Sequence, residues 1–386
     1  MKKASLSAWS GKSMVDRLTL HRRTLHRIPE LDHDLLETRK YLLSVMARLP
    51  FEIVLVGRAS FCAFLNAGRE GSIAFRSDMD ALPITERTGA EYASTLDGCM
   101  HACGHDAHMA ILLTFAEEIS LDMMALPHNV LLVFQAAEET GSGAREICES
   151  RVFQRYNVSK IFGLHVWPGF PSGSVVCESG GLMAAAATVS VDISGNFTHV
   201  ASADKCVDVL YVGTKFIDAA YEMERGELPP EAVRLLTFSV FQCGTVDNII
   251  SGRAILRATL RYFDEDIQRF LSDRLRNIAR ELDAKYGSGT DVVISEPCPP
   301  VINEAGLFKD FERILIKADA GFQLMNPEKP SMAAEDFSYY QREIPGLYFF
   351  LGIGETPPLH SDRFDFDEGV LVKGVEVFKL VLNGIE

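Results

Sequence analysis

The sequence lacks any apolar stretch long enough to cross a bilayer. Its longest apolar runs, 129–137 and 348–353, are much shorter than the roughly 20 residues of a membrane-spanning helix, and they predict buried strands instead. No apolar segment follows the two lysines near the start, so we expect no signal peptide. The eight cysteines are scattered and form no Cys-x-x-Cys pair, which suits free thiols in a reducing compartment. We therefore predict a cytoplasmic location.

Positive charge is also scarce. Lys and Arg number 38 against 53 Asp and Glu, which gives a formal net charge of −15. Because an acidic surface repels phosphate groups, we expect neither nucleic acid nor a membrane as the main partner. The hydrophobic share of 47% over 386 residues is ordinary for a globular protein and allows two domains.

The order of helical and extended patterns predicts an α/β fold with an insertion. Helix-like stretches (14–26, 107–119) alternate with strand-like ones (129–137, 161–166) over the first 180 residues, which indicates a mostly parallel central sheet. After Gly181 the pattern changes to amphipathic strands and two long helices, which predicts an α+β domain with a four-stranded sheet and helices on one face. The predicted boundaries are 1–183 and 297–386 for one domain and 184–296 for the inserted domain.

A cluster of sulfur and imidazole groups, CMHACGHDAHM, occupies residues 99–109. Cys103 and His105 lie just before a predicted helix, and we expect both on the loop between strand and helix, where α/β sheets gather ligand sites. Thiolate and imidazole suit zinc, cobalt, nickel or manganese better than calcium or magnesium. Taken alone, this pair is more often chance, because buried free cysteines are common.

Three further stretches carry side chains of the same chemistry. Glu138 and Glu139 follow an apolar strand, His165 ends another, and His360 lies in a proline-rich loop. Each has an ordinary alternative, a solvated turn or a structural histidine. Adjacent carboxylates can also divide their roles, with one binding a metal and the other acting as a general base. Together with Cys103 and His105, these residues form a plausible ligand set for two metals.

The motifs occur in an order that resembles one family. They are RRTLHRIPELDHDLLET (22–38), RSDMDALPITE (76–86), CMHACGHDAHMA (99–110), FQAAEET (134–140), GLHVWP (163–168), AAEDFSYY (333–340) and PLHSDRFDFDE (from 358). This series resembles the amidohydrolase branch of the M20 metallopeptidases, which includes hippurate hydrolase, auxin-conjugate hydrolases and N-acyl-amino-acid deacetylases. The resemblance spans nearly the whole chain and is specific for the family, but it does not specify the substrate.

The resemblance implies a zinc-peptidase-like catalytic domain, an inserted lid domain and two divalent metal ions, either manganese, zinc, cobalt or nickel. The implied metal ligands are Cys103, His105, Glu139, His165 and His360. Glu138 would be the general base for a metal-activated water that attacks the amide of an N-acyl amino acid. Asp80 matches an acid that orients a metal-bound histidine or cysteine. The alternative for Asp80 is a turn aspartate before proline.

Other residues of the cluster have no match among the implied ligands. We expect Cys99 and His101 to form the wall of the site or to lie behind the ligands. His108, three residues after His105, is expected on the helix surface or behind the ligands.

The inserted domain departs from the pattern of the family. His199 matches a histidine that reaches the tetrahedral centre of the substrate, but the small residues and the proline around it are missing. Asn248 matches a second substrate position without the usual following proline. Arg261 matches a strand arginine, for which substrate binding and a salt bridge within the lid are equally good interpretations. Catalysis is therefore expected to be intact and the pocket altered, and the lid could support a homodimer or homotetramer.

The sequence leaves three alternatives to this function open. The first is a dipeptidase or carboxypeptidase of the same superfamily, with the same metals and base. The second is a non-catalytic binding protein, which has no need of Glu138. The third is an enzyme with Cys103 or Cys99 as nucleophile, which metal dependence would exclude.

Overall fold

The computed structural model describes residues 12–318 and 321–386, and its contacts divide the chain into two units. Of these described residues, the larger unit comprises those up to Leu182 and those within 301–329 and 336–386, and the smaller unit comprises Met183–Pro300 and Pro330–Glu335. The predicted insertion, 184–296, falls within the smaller unit. Segments 297–300 and 330–335, which the sequence pattern assigns to the catalytic domain, group with the smaller unit by their contacts.

Main-chain pairing explains where these two short segments belong. Cys298 exchanges hydrogen bonds with Ala186, with N–O distances of 2.9 and 3.0 Å. The amide of Ala184 donates to the carbonyl of Ser331 at 2.9 Å. Such backbone pairs depend on tertiary contacts, so sequence periodicity alone does not reveal them.

Strands and helices are mixed along the chain, with runs of consecutive strands at 52–78 and 158–199. The strands are β1 Glu52–Leu55, β2 Phe61–Leu65, β3 Ser72–Asp78, β4 Asn129–Gln135, β5 Val158–Trp167, β6 Val175–Val176, β7 Gly180–Met183, β8 Ala185–Ser194, β9 Thr198–His199, β10 Arg234–Cys243, β11 Ile249–Ile250, β12 Arg253–Tyr262, β13 Gly289–Ile294, β14 Val301–Asn303, β15 Leu324–Met325 and β16 Gly346–Gly352. The helices are α1 Met14–His26, α2 Leu36–Met46, α3 His105–Ser120, α4 Gly143–Glu149, α5 Val152–Arg155, α6 Val209–Gly226, α7 Glu265–Tyr286, α8 Ala305–Ala318, α9 Ser338–Glu343 and α10 Leu371–Gly384. Short 3₁₀ turns occupy Met123–Ala125, Val200–Lys205 and Glu368–Val370.

The larger unit is built on an eight-stranded sheet in the order β1-β2-β4-β3-β5-β16-β6-β15. The four central strands, β4, β3, β5 and β16, run parallel to one another. Every residue of β3, β4 and β16 is buried, as expected for strands covered on both faces. The prediction of a mostly parallel central sheet is therefore confirmed.

The smaller unit contains a four-stranded antiparallel sheet in the order β10-β12-β8-β13. Burial alternates along β8 and β12, so one face of each strand belongs to an apolar core and the other is more exposed. The core includes Val191 and Leu256 from the sheet, Phe216 from α6 and Leu275 from α7. This is the α+β architecture that the amphipathic strands predicted.

Among the residues that the structure describes, no helix combines the length and the apolar character needed to cross a membrane.

Candidate metal centre and active site

The site lies where the four central parallel strands end. In a parallel sheet the carboxyl ends of neighbouring strands meet at one edge, and ligand sites form there. Asp80 follows β3, Glu138 and Glu139 follow β4, His165 lies near the end of β5, and the loop after β16 carries His360. The topology therefore gathers motifs that are far apart in the sequence.

The turn that carries Cys103 into α3 depends on a glycine. Gly104 has a φ of 89°, and a Cβ atom there would lie 2.5 Å from Cγ2 of Val166. Both the left-handed backbone and the close approach exclude a side chain. The helix begins at His105, so this residue lies on the first turn of α3 rather than on the predicted loop. The difference arises because Gly104 occupies the N-cap position and the helix starts directly after it.

Hydrogen bonds to main-chain carbonyls orient two histidine rings. Nδ1 of His105 donates to the carbonyl of Asp80 at 2.8 Å, and Nδ1 of His165 donates to the carbonyl of Val166 at 2.6 Å. Each bond fixes a proton on Nδ1, so Nε2 is the nitrogen that binds a metal ion once the ring is neutral. Burial holds the pKa of His165 well below its usual value, so its ring is neutral.

A tight turn after β4 presents the two glutamates. Ala137 has a φ of 55°, and the amide of Gly141 donates to the carbonyl of Glu138 at 2.8 Å. The carboxylate of Asp80 accepts the amides of both Glu138 and Glu139, at 3.1 and 3.0 Å. Asp80 thus supports His105 through its main chain and the glutamate turn through its side chain.

His360 closes the group from the loop after β16. Its amide donates to the carbonyl of Ala102 at 2.8 Å, which ties this loop to the segment before Cys103. Its side chain is 53% exposed, so this is the open side of the site.

The structure brings all five predicted ligands together within the larger unit. Sγ of Cys103 lies 3.4 Å from Nε2 of His165 and 3.3 Å from Nε2 of His360. Oε1 of Glu139 lies 3.6 Å from Nε2 of His360 and 3.9 Å from Nε2 of His105. Oε2 of the predicted base, Glu138, also lies 3.9 Å from Nε2 of His105.

Two buried atoms in this group show that it fits a metal cation. Nε2 of His105 and Oε1 of Glu139 have no hydrogen-bond partner among the described residues. Burial lowers the pKa of His105, but the charges of Asp78 and Asp80 outweigh it and raise the pKa to about 10, so a cation that binds Nε2 would displace a proton from it. Buried polar atoms are normally satisfied, and a cation would satisfy both atoms at once. The sulfur, nitrogen and oxygen donors suit zinc, cobalt, nickel or manganese.

The electrostatics argue against Cys103 as a nucleophile. Burial and then the carboxylates of Glu139 and Glu138 raise the pKa of this thiol well above its usual value. A reactive cysteine needs a lowered pKa, and the position of Cys103 just before α3 does not offset burial and the two carboxylates. Cys103 gains its thiolate form most readily by binding a metal cation.

Near the ligands, Asp78 was missed from the sequence, and His108 occupies one of its two expected places. Asp78 is buried, accepts Nη1 of Arg76 at 2.7 Å and contacts Nδ1 of His108 at 2.7 Å. His108 is 2% exposed, so of its two expected places the structure shows the one behind the ligands and not the helix surface, because this face of α3 packs against the sheet. The i, i+2 spacing of Arg76 and Asp78 in a buried strand was a signal for an internal ion pair.

The remaining residues of the cluster lie around the ligands. His101 is buried, and neither ring nitrogen has a hydrogen-bond partner among the described residues, while Cys99 is half-buried. Asp106, next to His105, accepts Nδ1 of His26 at 2.8 Å and Nε of Arg22 at 3.3 Å. These bonds anchor the first turn of α3 to α1.

The three predicted substrate residues lie in the smaller unit. His199 pairs with Ile249 between β9 and β11, and the carbonyl of Asn248 accepts the amide of Val200 at 3.2 Å, so His199 and Asn248 are neighbours. Arg261 donates to the carbonyls of Met332 and Leu260, both at 3.1 Å, and makes no ion pair with any carboxylate in the described ranges. Their roles toward a substrate stay predictions.

Comparison with known proteins identifies the family. The model of peptidase family M20/M25/M40 matches residues 74–384. The chain belongs to this family.

Relatives of this M20 chain have named activities. The N-acetyldiaminopimelate deacetylase of Lacticaseibacillus casei is 33% identical over 374 residues, which cover 94% of this chain and 95% of that protein. A protein of the same name from Streptococcus uberis is 31% identical over 376 residues, or 96% and 99% of the two chains. The crystal structure of a dinuclear metal binding peptidase of the M20 family from Bacillus subtilis has a TM-score of 0.84 and 29% identity, and covers 96% of this chain and 97% of that one. The M20 chain is thus a hydrolase of the amidohydrolase branch, as its motifs predicted.

Proposed function

We propose that this M20 hydrolase cleaves the amide bond of N-acyl amino acids, with water, into a carboxylic acid and an amino acid. The observation that carries the proposal is the convergence of Cys103, His105, Glu139, His165 and His360 beside Glu138. Deacetylase relatives that match almost the whole length of the chain support the acyl amino acid as substrate class.

Two divalent cations would be held by these five side chains, and Cys103 would contribute to both. Its sulfur lies within 4.8 Å of donors from His105 and His165, and equally of donors from Glu139 and His360. Such cations supply Lewis acidity, which lowers the pKa of water and polarises the amide carbonyl. Manganese, zinc, cobalt and nickel all suit this mixed donor set, and metal analysis of the purified protein identifies the native one.

Glu138 would move the proton. Its side chain is 11% exposed, which leaves it accessible to water while Asp80 holds its main-chain amide in place. The carboxylate takes a proton from the attacking water and passes it to the nitrogen that leaves as the C–N bond breaks. The exposed side of His360 is the route by which a small substrate would enter.

The test compares substrates and metal states of the purified chain. After treatment with a chelator and reloading with manganese, zinc or cobalt, we expect turnover of N-acetyl amino acids to exceed that of unblocked dipeptides. The reverse preference would favour the dipeptidase alternative. If no member of a broad panel of N-acyl amino acids is hydrolysed, or if treatment with the chelator does not reduce activity, the proposal fails.

A variant of the base tests the role of Glu138. Glu138→Gln should lower kcat by a factor of about 10²–10⁴ and leave metal content unchanged. The matched control is Glu149→Gln, at an exposed position on α4, which should keep the activity of the unmodified protein. If Glu138→Gln retains activity, another group is the base.

We also propose a cytoplasmic location and a homodimer or homotetramer formed through the smaller unit. All eight cysteines are free thiols, which supports a reducing compartment. Static light scattering of the purified chain measures the oligomer, and a monomer would contradict it.

A further inference from the structure

His108 lies beside the ligand group with both ring nitrogens engaged. The amide of Val166 donates to Nε2 at 2.9 Å, and Nδ1 lies 2.7 Å from Oδ1 of Asp78. A ring nitrogen that accepts a hydrogen bond carries no proton, so the proton lies on Nδ1 and is donated to Asp78. His108 therefore has no lone pair left for a cation, although Asp78, His105 and His108 lie close enough together to form a ligand group.

The amide of Val166 lies beyond the point where the pairing between β5 and β3 ends. The register between β3 and β5 ends at Arg76 and Gly163, before the chain reaches Val166. On its other edge β5 stays paired with β16 through Trp167. A side chain of α3 thus takes the place of a missing strand partner, and it satisfies a buried amide that the sheet does not.

This amide belongs to the peptide that follows His165. The carbonyl of Val166 accepts Nδ1 of His165, whose Nε2 lies 3.4 Å from Sγ of Cys103. The rings of His108 and His165 meet edge to face, with centroids 4.6 Å apart. His108 holds the amide of Val166 and the carbonyl of the same residue accepts His165, so restraining Val166 restrains the direction in which the His165 ring points.

Asp78, at the other end of the hydrogen-bond chain through His108, is also held in place. Asp78 is buried, and its second oxygen accepts Nη1 of Arg76 at 2.7 Å. The chain Asp78–His108–Val166 amide therefore joins β3, α3 and β5, three elements that carry or support candidate ligands.

We propose that His108 is a positioning residue that holds His165 in its ligand geometry and is not itself a metal ligand. The proposal rests on the proposed metal-dependent function and extends it by giving a role to a histidine outside the ligand set.

Two polar variants separate the contacts of His108. The amide of glutamine reaches the position of Nε2 and can accept the amide of Val166, whereas the amide of asparagine reaches only the position of Nδ1. Cobalt titration of the metal-free protein, followed by absorption of the cobalt–thiolate and d–d bands, gives the Kd of each ion. We expect His108→Asn to raise the Kd of one of the two ions by about 10–100-fold and His108→Gln to raise it by less than about threefold.

A matched control removes a histidine bond elsewhere in the larger unit. His128→Leu loses a hydrogen bond from Nε2 to the carbonyl of Ile385 and should leave both cobalt affinities unchanged. The unfolding midpoint in chelator confirms that each variant is folded.

The outcomes distinguish the inference from the function on which it rests. Equal cobalt affinities for the Asn and Gln variants would refute the positioning role, and loss of one bound cobalt in both would make His108 a ligand. These titrations need no turnover, so an inactive protein that binds two cobalt ions refutes only the proposed function. An unmodified chain that binds no cobalt would refute both.

Discussion

Replacing Asp80 by asparagine tests how the site is held together. The carboxylate of Asp80 is buried and accepts the amides of Glu138 and Glu139 at 3.1 and 3.0 Å. Asparagine has the same shape but presents an NH2 group in place of one oxygen, so one main-chain donor would face another donor.

The magnitude follows from these two hydrogen bonds. A bond to a charged acceptor contributes about 1.5–3 kcal/mol, and a buried donor left without a partner costs about 1–3 kcal/mol. Asp80→Asn keeps one acceptor and loses the other, so we expect the free energy of unfolding to fall by about 3 kcal/mol. Because the two bonds position the glutamate turn, cobalt affinity and kcat should fall as well.

The assay is urea unfolding in the presence of chelator, followed by circular dichroism, with cobalt titration of the same samples. The matched control is Asp32→Asn, since Asp32 also contacts the turn, through a 2.8 Å bond from Thr140, but its side chain is 50% exposed. The control should change stability by less than about 0.5 kcal/mol. If Asp80→Asn were no more destabilising than Asp32→Asn, the reasoning that Asp80 holds the turn would be refuted.

Three further predictions concern the turn, the thiolate and a buried ion pair. Gly104→Ala should destabilise the metal-free protein by about 2–4 kcal/mol in urea unfolding, because the new methyl group meets both a left-handed backbone and a clash. The control Gly141→Ala has a left-handed backbone but open space around it, so it should lose about 1 kcal/mol. Equal losses in the two variants would exclude the clash. Cys103→Ser should abolish the sulfur-to-cobalt charge-transfer absorption of the cobalt protein, and a persistent band would assign the thiolate to another cysteine. Burial lowers the pKa of His26, but the nearby carboxylates outweigh burial and raise the pKa to about 9. Protonated His26 therefore contributes about 3 kcal/mol to the free energy of unfolding, which is fully present below pH 6.5 and is lost as the pH rises through 9. Unfolding measured from pH 6 to 10 should show this loss relative to His26→Gln, and parallel pH profiles would contradict it.

The parts of the site that could be predicted from the sequence are those set by local pattern. Buried apolar runs at 129–137 and 161–166 predicted strands, which are observed as β4 and β5 on either side of β3, and α/β topology brings the residues that follow such strands to one edge. The predicted helix over 14–26 is observed as α1, and the buried strand predicted from the run at 348–353 overlaps β16. These predictions needed only hydrophobic periodicity and helix signals.

The parts that could not be predicted depend on which surfaces meet. The spacing of His108 from His105 places both on one side of α3, but the sequence does not show whether that side faces solvent or β5. Likewise, nothing local to the AAEDF motif shows that 330–335 groups with the smaller unit and Asp336 with the larger one. In both cases the answer comes from tertiary hydrogen bonds.

The charges of the site couple metal binding to stability. Burial, with Asp80 as a further contribution, raises the pKa of Glu139, and burial with Glu139 and Glu138 raises that of Cys103. A group whose pKa is raised in this way destabilises the fold once the pH exceeds its ordinary value, because the folded state resists the charged form. A cation reverses the balance, since it binds the deprotonated donors and adds its binding free energy to the folded state alone. The same donors that weaken the metal-free protein are therefore the ones that make it responsive to metal, which is why stability in chelator and affinity for cobalt have to be measured on the same samples.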